Sequence, residues 1–274
     1  MPVRPAAGEP VRPGTGWPGD PSDAETPVAR DADDVVALAA ESADLATLDG
    51  RVAVCRACPR LVQWREDVAR DRRKSFESEQ YWGRPIAGWG SSHPRVLVVG
   101  LAPAAHGGNR TGRIFTGDRS GDWLFAALHR AGLATQATST DANDGQQLID
   151  TRVVAAVRCA PPGNKPTTVE RDVCATWLLR EIDIVTPTLR VSVALGSFAW
   201  SSLLTALVTL GWAVPKPRPR FGHGVEVRLS RGETEMVAIA SYHPSQQNTF
   251  TGKLTEPMLD DVFTRVTEIA RSRS

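Results

Sequence analysis

Short apolar segments that alternate with helix-like segments constrain the fold of this 274-residue chain more than any other feature. Residues 95–101, 151–159 and 190–196 are rich in Val, Leu and Ala, as is typical of strands buried on both faces. Helical spacing of apolar residues follows over 122–133, 168–185, 198–211 and 254–272, and segments 225–230 and 235–244 resemble a hairpin. This alternation predicts a mostly parallel sheet with helices on both faces.

The first part of the chain differs from the rest. Residues 1–30 are rich in Pro, Gly and small polar residues without periodicity, so we predict a disordered leader. Residues 31–49 place acidic residues ahead of helically spaced Val, Leu and Ala, which predicts a first helix. We therefore expect a single domain over 31–274.

The composition limits the class of protein. Hydrophobic residues make up 41% of the chain and include eight Trp, enough for a substantial core. The sequence has no apolar run of 18 residues and no signal-peptide pattern. We accordingly expect a cytoplasmic protein that does not bind membranes.

The near-neutral total charge hides an asymmetry. Residues 1–50 carry three Arg against ten acidic residues, so their net charge of −7 leaves +8 for the remainder. The basic excess is densest in 51–74, with eight Lys or Arg against three acids. This pattern indicates either a polyanionic partner such as nucleic acid or a solvated helix face.

The four cysteines favour a metal site. Cys55 and Cys58 form a CxxC pair, and Cys159 and Cys174 follow 100 residues later. Two pairs brought together by the fold supply four sulfur ligands for zinc or for an iron–sulfur cluster. Both remain open from ligand type alone. The prolines that follow Cys58 and Ala160 favour a structural cluster, which would clamp the basic segment against helix 168–185.

A glycine-rich loop follows the first strand with the sequence GLAPAAHGG, residues 100–108. It lacks the Lys and Ser or Thr of a P-loop and the GxGxxG of a dinucleotide-binding loop. Its glycines let the backbone approach a ligand closely. Phe115 and His243 are expected at the same edge of the sheet, since ligands bind at the carboxyl ends of parallel strands. Together these features predict a pocket for a flat heteroaromatic base.

Four motifs in this order resemble the uracil-DNA glycosylase superfamily, specifically its family 5, the iron–sulfur type. They are GLAPAAHGGNRTGRIFTGD (100–118), the cysteine pattern, VRCAPPGNKP (157–166) and SYHPSQQNTFTGKLT (241–255). The resemblance covers about residues 50–271. It implies a three-layer α/β/α sandwich with a central, mostly parallel four-stranded sheet. It also implies a monofunctional hydrolase that removes uracil and related damaged bases from DNA and leaves an abasic site.

The resemblance also implies roles for individual residues. Gly100, Leu101 and Ala102 would present backbone to the flipped base, Phe115 would stack on it, and His243 would stabilise its charge as it leaves. Asn109, or in second place Asp118, would orient the attacking water. A [4Fe-4S] cluster would be held by Cys55, Cys58, Cys159 and Cys174. The expected contacts with DNA are Ser245, Gln246, Gln247, Arg110 and Lys253. We expect a monomer.

Two departures from relatives bear on chemistry. Ala102 stands where other families carry a polar or water-activating residue, so the reaction would depend more on stabilising the leaving base. Ala155 or Ala156 stands where many relatives carry an Asn that recognises uracil, and we expect broader base specificity as a result.

Two rival functions are considered. The first is a metal-stabilised nucleic-acid-binding protein without catalysis, in which the cysteines and the basic segment carry the function. The second is a zinc hydrolase, which the sequence disfavours because it lacks a His and carboxylate set at metal-ligand spacing.

Overall fold

A six-stranded mixed sheet forms the centre of the computed structural model, which describes residues 9–272. The strands are β1 (Trp89–Gly90), β2 (Val96–Gly100), β3 (Thr151–Ala155), β4 (Val191–Leu195), β5 (Glu226–Arg231) and β6 (Thr234–Ser241). Their order is β1-β3-β2-β4-β6-β5, in which the four inner strands are parallel and the two edge strands antiparallel. The predicted four-stranded parallel sheet is therefore present, with one further strand at each edge. The predicted hairpin is β5 and β6.

Helices connect the strands. Within the described part of the chain they are α1 (Ala32–Ala40), α2 (Leu45–Val54), α3 (Pro59–Arg70), α4 (Gly108–Thr111), α5 (Arg119–Arg130), α6 (Thr168–Val185), α7 (Ser197–Thr209), α8 (Gln246–Phe250) and α9 (Glu256–Arg271). The single helix predicted over 31–49 is two helices. Asp44 causes the break, because its side chain accepts a hydrogen bond from the Thr47 N–H and starts α2.

The sheet divides the core into two layers. On β2, Val96 and Val98 face one side with α5 and α9, while Leu97 and Val99 face the other side with α1, α2, α6 and α7. All four side chains are completely buried, as strands covered on both faces require. The predicted α/β/α sandwich is confirmed.

Residues 9–30 lie along the domain, which differs from the leader expected from composition. Asp20 pairs with Arg84 at 2.9 Å, and the Asp20 and Arg84 side chains are only 4% and 7% exposed. Trp17 stacks on Trp82 with ring centroids 6.0 Å apart, and its indole N–H donates to the Thr111 carbonyl. A few large contacts thus order a segment of low hydrophobicity. Residues 1–8 of the predicted leader lie outside the described residues.

The carboxyl ends of the inner strands meet at one edge of the sheet. The Ala156 N–H donates to the Gly100 carbonyl, and the Gly196 N–H donates to the Ser241 carbonyl. The loops after β2, β3, β4 and β6 therefore converge, as the sequence predicts. Across residues 9–272, the structure has no helix with the length and apolar character needed to span a membrane.

Candidate active site

A pocket of about 280 Å³ opens where the strand ends converge. The loop after β2 forms one wall, the segment before α5 a second, and the segment after β6 a third. The lining residues are Leu101, Ala102, Ala104, Ile114, Phe115, Asp118, Ser120, Asn164, His243 and Ser245. The structure thus brings together Leu101, Ala102, Phe115, Asp118, His243 and Ser245, all of which were predicted as site residues.

Phe115 forms the apolar face of the pocket. It adopts a left-handed conformation with φ of +52°, which is uncommon for a bulky residue. Gly100 allows this placement, because a Cβ at position 100 would lie 2.8 Å from the Phe115 ring. Gly100 therefore acts behind the aromatic ring, beneath the pocket wall.

A hydrogen-bonded network holds Phe115 from behind. The Thr116 hydroxyl lies 2.7 Å from the Ser139 hydroxyl, and the Arg113 guanidinium donates to Ser139 and to Thr116. Arg113 also pairs with Asp144, which leaves the guanidinium only 6% exposed. These buried contacts offset the backbone strain at Phe115.

His243 faces the Phe115 ring at a centroid distance of 5.8 Å, with the planes tilted by 34°. Burial lowers the pKa of His243 from its ordinary 6.5 to about 4, because a low-dielectric site disfavours the imidazolium. His243 is accordingly a neutral imidazole at pH 7, able to donate one ring N–H.

Asp118 supplies a carboxylate to the same pocket. Its Oδ1 accepts from the Gly121 N–H at 2.9 Å and caps α5. Burial raises the pKa of Asp118. A Cβ at position 107 would overlap the Asp118 carboxylate, so Gly107 is the residue that lets the β2 loop lie against it.

Asn109 lies behind the pocket. Its side chain is completely buried, and its Nδ2 donates to the Arg65 carbonyl at 3.1 Å. In the structure, Asp118 therefore lines the pocket and Asn109 does not. Asn109 instead ties α4 to α3.

Asn164 lines the pocket and was missed by sequence reasoning. It follows Gly163 with a left-handed φ of +57°, a conformation that asparagine tolerates better than most residues. Its amide supplies both a donor and an acceptor at the pocket mouth. The signal was present in the PPGNKP sequence (161–166) of the loop after β3.

The residues predicted to bind DNA divide into two groups. Ser245 caps α8 by accepting from the Asn248 N–H, and the two glutamines that follow are exposed, as is Lys253. Arg110 is buried instead, where it pairs with Glu79 and donates to the His106 carbonyl. Two further exposed cations, Arg119 and Lys165, directly follow pocket-lining residues.

The four cysteines line one small cavity on the face of the sheet covered by α6, together with Trp177. Cys55 ends α2, Cys58 starts α3, Cys159 follows β3, and Cys174 lies in α6. Burial raises the pKa of the Cys55, Cys58 and Cys174 thiols, to about 12 for Cys58. The fold thus collects the predicted ligand set around one cavity.

Two hydrogen-bond donors point at these sulfurs. Arg65 Nη1 lies 2.9 Å from Cys159 Sγ, and the Arg158 N–H donates to Cys174 Sγ at 3.2 Å. Arg65 is 1% exposed, and a buried guanidinium requires compensating negative charge. Its nearest carboxylate, that of Glu66, lies 4.0 Å away. Cys159 Sγ is therefore the nearest side-chain acceptor of this buried cation.

The described residues give little support to a site that binds a single metal ion. Over residues 9–272, no group of three or more His, Cys, Asp or Glu side chains is arranged to hold a metal ion. The zinc hydrolase considered from the sequence therefore gains nothing from the structure.

Comparison with known proteins identifies the class. The Uracil DNA glycosylase superfamily matches residues 87–267, a range that contains the whole pocket, and the chain belongs to this superfamily. Within it, the chain is 54% identical over 233 residues to the type-5 uracil-DNA glycosylase of Mycobacterium tuberculosis, an overlap that covers 85% of this chain and 84% of the relative.

Two more distant relatives carry the same description. The type-5 uracil-DNA glycosylase of Pyrobaculum aerophilum is 46% identical over 215 residues, 78% of this chain and 88% of the relative. That of Thermus thermophilus is 44% identical over 219 residues, 80% of this chain and 95% of the relative. The resemblance found in the four sequence motifs is confirmed.

Proposed function

We propose that this protein is a monofunctional DNA repair glycosylase that hydrolyses the N-glycosidic bond of uracil and related damaged bases. The arrangement of residues in the pocket is the main support for this proposal. One aromatic face, one neutral histidine and one partly buried carboxylate converge there on a space of about 280 Å³. Membership of the superfamily and the names of its type-5 relatives support the same activity.

His243 is the residue that stabilises the leaving base. The bond between the base nitrogen and C1′ breaks, its electron pair remains on the base, and the sugar becomes an oxocarbenium ion. A neutral His243 donates its ring N–H to the oxygen on which the negative charge collects. Phe115 holds the base by stacking, and the backbone at Leu101 and Ala102 closes the opposite wall.

Asp118 orients the water that captures the sugar. The water oxygen bonds to C1′, and its proton leaves through the Asp118 carboxylate, which faces the pocket. We expect Asp118→Asn to lower the single-turnover rate by about 10²-fold, the lower range for a general acid–base residue, while keeping the helix cap. Asp122→Asn, in the exposed first turn of the same helix, should leave the rate unchanged. Equal rates for both variants would remove Asp118 from this role.

DNA contacts follow from the exposed rim. Ser245, Gln246 and Gln247 start the loop that would enter the duplex. Lys253 is exposed, with its Nζ 4.8 Å from the Tyr242 ring centroid, and we propose that it contacts a phosphate. Arg110 is ion-paired inside the protein, so we assign its predicted phosphate contact to exposed Arg119 and Lys165.

Ala155 supports broad specificity. Its side chain packs in the same core layer as Phe115, whereas Ala156 packs in the opposite layer beside the cysteines. Ala155 thus shares the core layer of the pocket-lining Phe115, and its methyl group cannot read the edge of a base by hydrogen bonds. We expect release of further deaminated or damaged bases such as hypoxanthine. Activity on uracil alone, across a panel of lesions in duplex DNA, would contradict this proposal.

We propose that Cys55, Cys58, Cys159 and Cys174 hold a [4Fe-4S] cluster. Such a group supplies bonds that join three separate parts of the fold. The Arg65 guanidinium and the Arg158 backbone N–H donate to two of the sulfurs, as suits a negatively charged cluster. Anaerobically purified protein should absorb in the visible region and contain about four iron atoms, the count of this cluster type. Zinc without iron would contradict the cluster.

The decisive experiment for the activity is incision of a uracil-containing duplex followed by alkali. Cleavage at uracil by the wild type, with a thymine-containing duplex left intact, is expected. Binding without cleavage would favour the rival function, a nucleic-acid-binding protein without catalysis. We further propose that residues 31–274 form one domain, onto which residues 9–30 pack, and that the protein is a cytoplasmic monomer. Light scattering of the purified protein tests the oligomeric state.

A further inference from the structure

His223 lies beside the strand that delivers His243, although the chemistry proposed above does not use it. It belongs to the loop that precedes β5. That loop is fixed to β6, since the Gly224 N–H donates to the Ala240 carbonyl at 2.8 Å and the Ala240 N–H donates to the Val225 carbonyl at 2.9 Å. His223 therefore sits at the strand ends, one residue layer from the pocket.

Both ring nitrogens of His223 have backbone partners. The Tyr242 N–H donates to Nδ1 at 3.2 Å, and Nε2 lies 3.2 Å from the Met258 carbonyl. An amide nitrogen can only donate, so Nδ1 carries no proton and Nε2 donates to Met258. The structure thus fixes the neutral Nε2–H tautomer. The ring also stacks on Tyr242, with centroids 5.1 Å apart.

The His243 backbone is held on both sides. On its amino-terminal side, His223 binds the Tyr242 N–H. On its carboxyl-terminal side, the His243 carbonyl accepts from Asn248 Nδ2 at 2.8 Å. The His243 ring itself packs against Phe115. The direction of the ring N–H in the pocket therefore depends on how the backbone around His243 is fixed.

We propose that His223 is a positioning residue for His243: its unprotonated Nδ1 holds the backbone that aims the His243 ring into the pocket. This inference rests on the proposed glycosylase function. It assigns His223 to the reaction without direct contact with the base, through one hydrogen bond to a backbone amide.

Two substitutions separate the two ring nitrogens. The Oδ1 atom of His223→Asn occupies roughly the place of Nδ1 and keeps an acceptor for the Tyr242 N–H. The amide nitrogen of His223→Gln occupies roughly the place of Nε2 and keeps only the donor to Met258. We expect His223→Asn to retain near-wild-type kcat and His223→Gln to lose about 10²-fold, the loss expected when a catalytic group moves by about 1 Å. KM should change little in both.

Hydrogen exchange of the Tyr242 amide supplies a readout that does not depend on activity. Protection should persist in His223→Asn and fall in His223→Gln, while thermal unfolding confirms that both fold. His129→Ala removes a histidine that contacts a carbonyl far from the pocket and should leave both readouts unchanged.

The outcomes distinguish the two proposals. Equal kcat loss in the Asn and Gln variants, or full kcat in the Gln variant, would overturn the role of His223. A wild type that releases no base would instead overturn the proposed function. In that case, unchanged hydrogen exchange of the Tyr242 amide in His223→Gln would also overturn the hydrogen bond from the Tyr242 N–H to His223 Nδ1.

Discussion

The base pocket lies at the carboxyl edge of the sheet and the cysteine cavity lies on the face covered by α6. The two sites differ in the charge that they favour. The pocket favours a neutral His243, since burial lowers its pKa to about 4 and no neighbouring charge contributes to that shift. The cavity instead collects the Arg65 guanidinium and the Arg158 amide around four sulfurs. One site suits a flat, uncharged ligand, and the other suits an anionic group.

The two sites are physically connected. Arg65 donates to Cys159 Sγ and to the Cys55 carbonyl, and its own carbonyl accepts from Asn109. Asn109 lies in α4, which follows the loop that lines the pocket. We therefore expect the cysteine side to determine stability and the pocket side to determine turnover. Arg65 and Asn109 connect the two sides.

The largest expected effect is on the cysteine side. Cys159→Ala removes the sulfur that Arg65 Nη1 contacts and leaves a buried cation with the Cys55 carbonyl only. Breaking a buried charged contact costs about 3–5 kcal/mol in the free energy of unfolding. We expect loss of bound iron together with a lower unfolding temperature, measured by metal analysis and circular dichroism. Ala57→Ser, between Cys55 and Cys58 and lining the same cavity, should retain iron. Full iron content and stability in Cys159→Ala would break the comparison.

On the pocket side, His243→Ala should lower turnover without a loss of iron. Removing one preorganised donor to a developing anion costs about 10²–10³ in kcat. Single-turnover release of uracil measures this loss, and the iron content of the same sample shows that the cysteine side is intact. A variant that loses iron along with activity would show that the two sides are not separable.

Phe115 tests whether stacking or packing matters in the pocket. Loss of an aromatic platform weakens the hold on a base by about 1–3 kcal/mol, so Phe115→Ala should raise KM and lower kcat/KM by about 10-fold or more. Phe115→Leu restores much of the apolar volume without a flat face. If Phe115 acts by stacking, kcat/KM of Phe115→Leu should fall as far as that of Phe115→Ala. Recovery in Leu would assign Phe115 to packing alone.

The smallest effect is a dependence of stability on pH. The folded pKa of His243, about 4, lies below the ordinary 6.5, so the unfolded chain binds more protons between these values. The contribution of neutral His243 is present above about pH 6.5 and lost as pH falls toward about 4. Urea unfolding at pH 7 and at pH 5 should show a larger loss of unfolding free energy in the wild type than in His243→Gln. The His243→Asn variant should lose as little unfolding free energy as His243→Gln. Equal losses in the wild type and in both variants would contradict the lowered pKa of His243.

Much of the fold was predictable because patterns of apolar residues are local. The inner strands and α6 lie where Val, Leu and Ala recur at strand or helix spacing. The edge strand Trp89–Gly90 has two residues, too few for a pattern. The break between α1 and α2 depended on the cap formed by Asp44, and the course of 9–30 depended on long-range contacts that composition does not encode.

The site was predictable in part for a related reason. Phe115 and His243 follow recognisable motifs, whereas the tasks of charged residues depend on burial. Arg65 and Arg110 count as basic residues in the sequence, yet one points at a sulfur and the other at Glu79 inside the protein. His223 carries no motif, and only its two backbone partners reveal it.

The pairing of Asp20 with Arg84 sets a practical limit on how the domain is defined. A shortened protein that begins at residue 31 would keep Arg84 in the interior and remove its carboxylate. It would also expose the Trp82 face that Trp17 covers, and it would free the Thr111 carbonyl near the pocket. The minimal catalytic unit therefore has to include the proline-rich segment from about Val11 onward, and a deletion chosen from composition alone would cut into the enzyme.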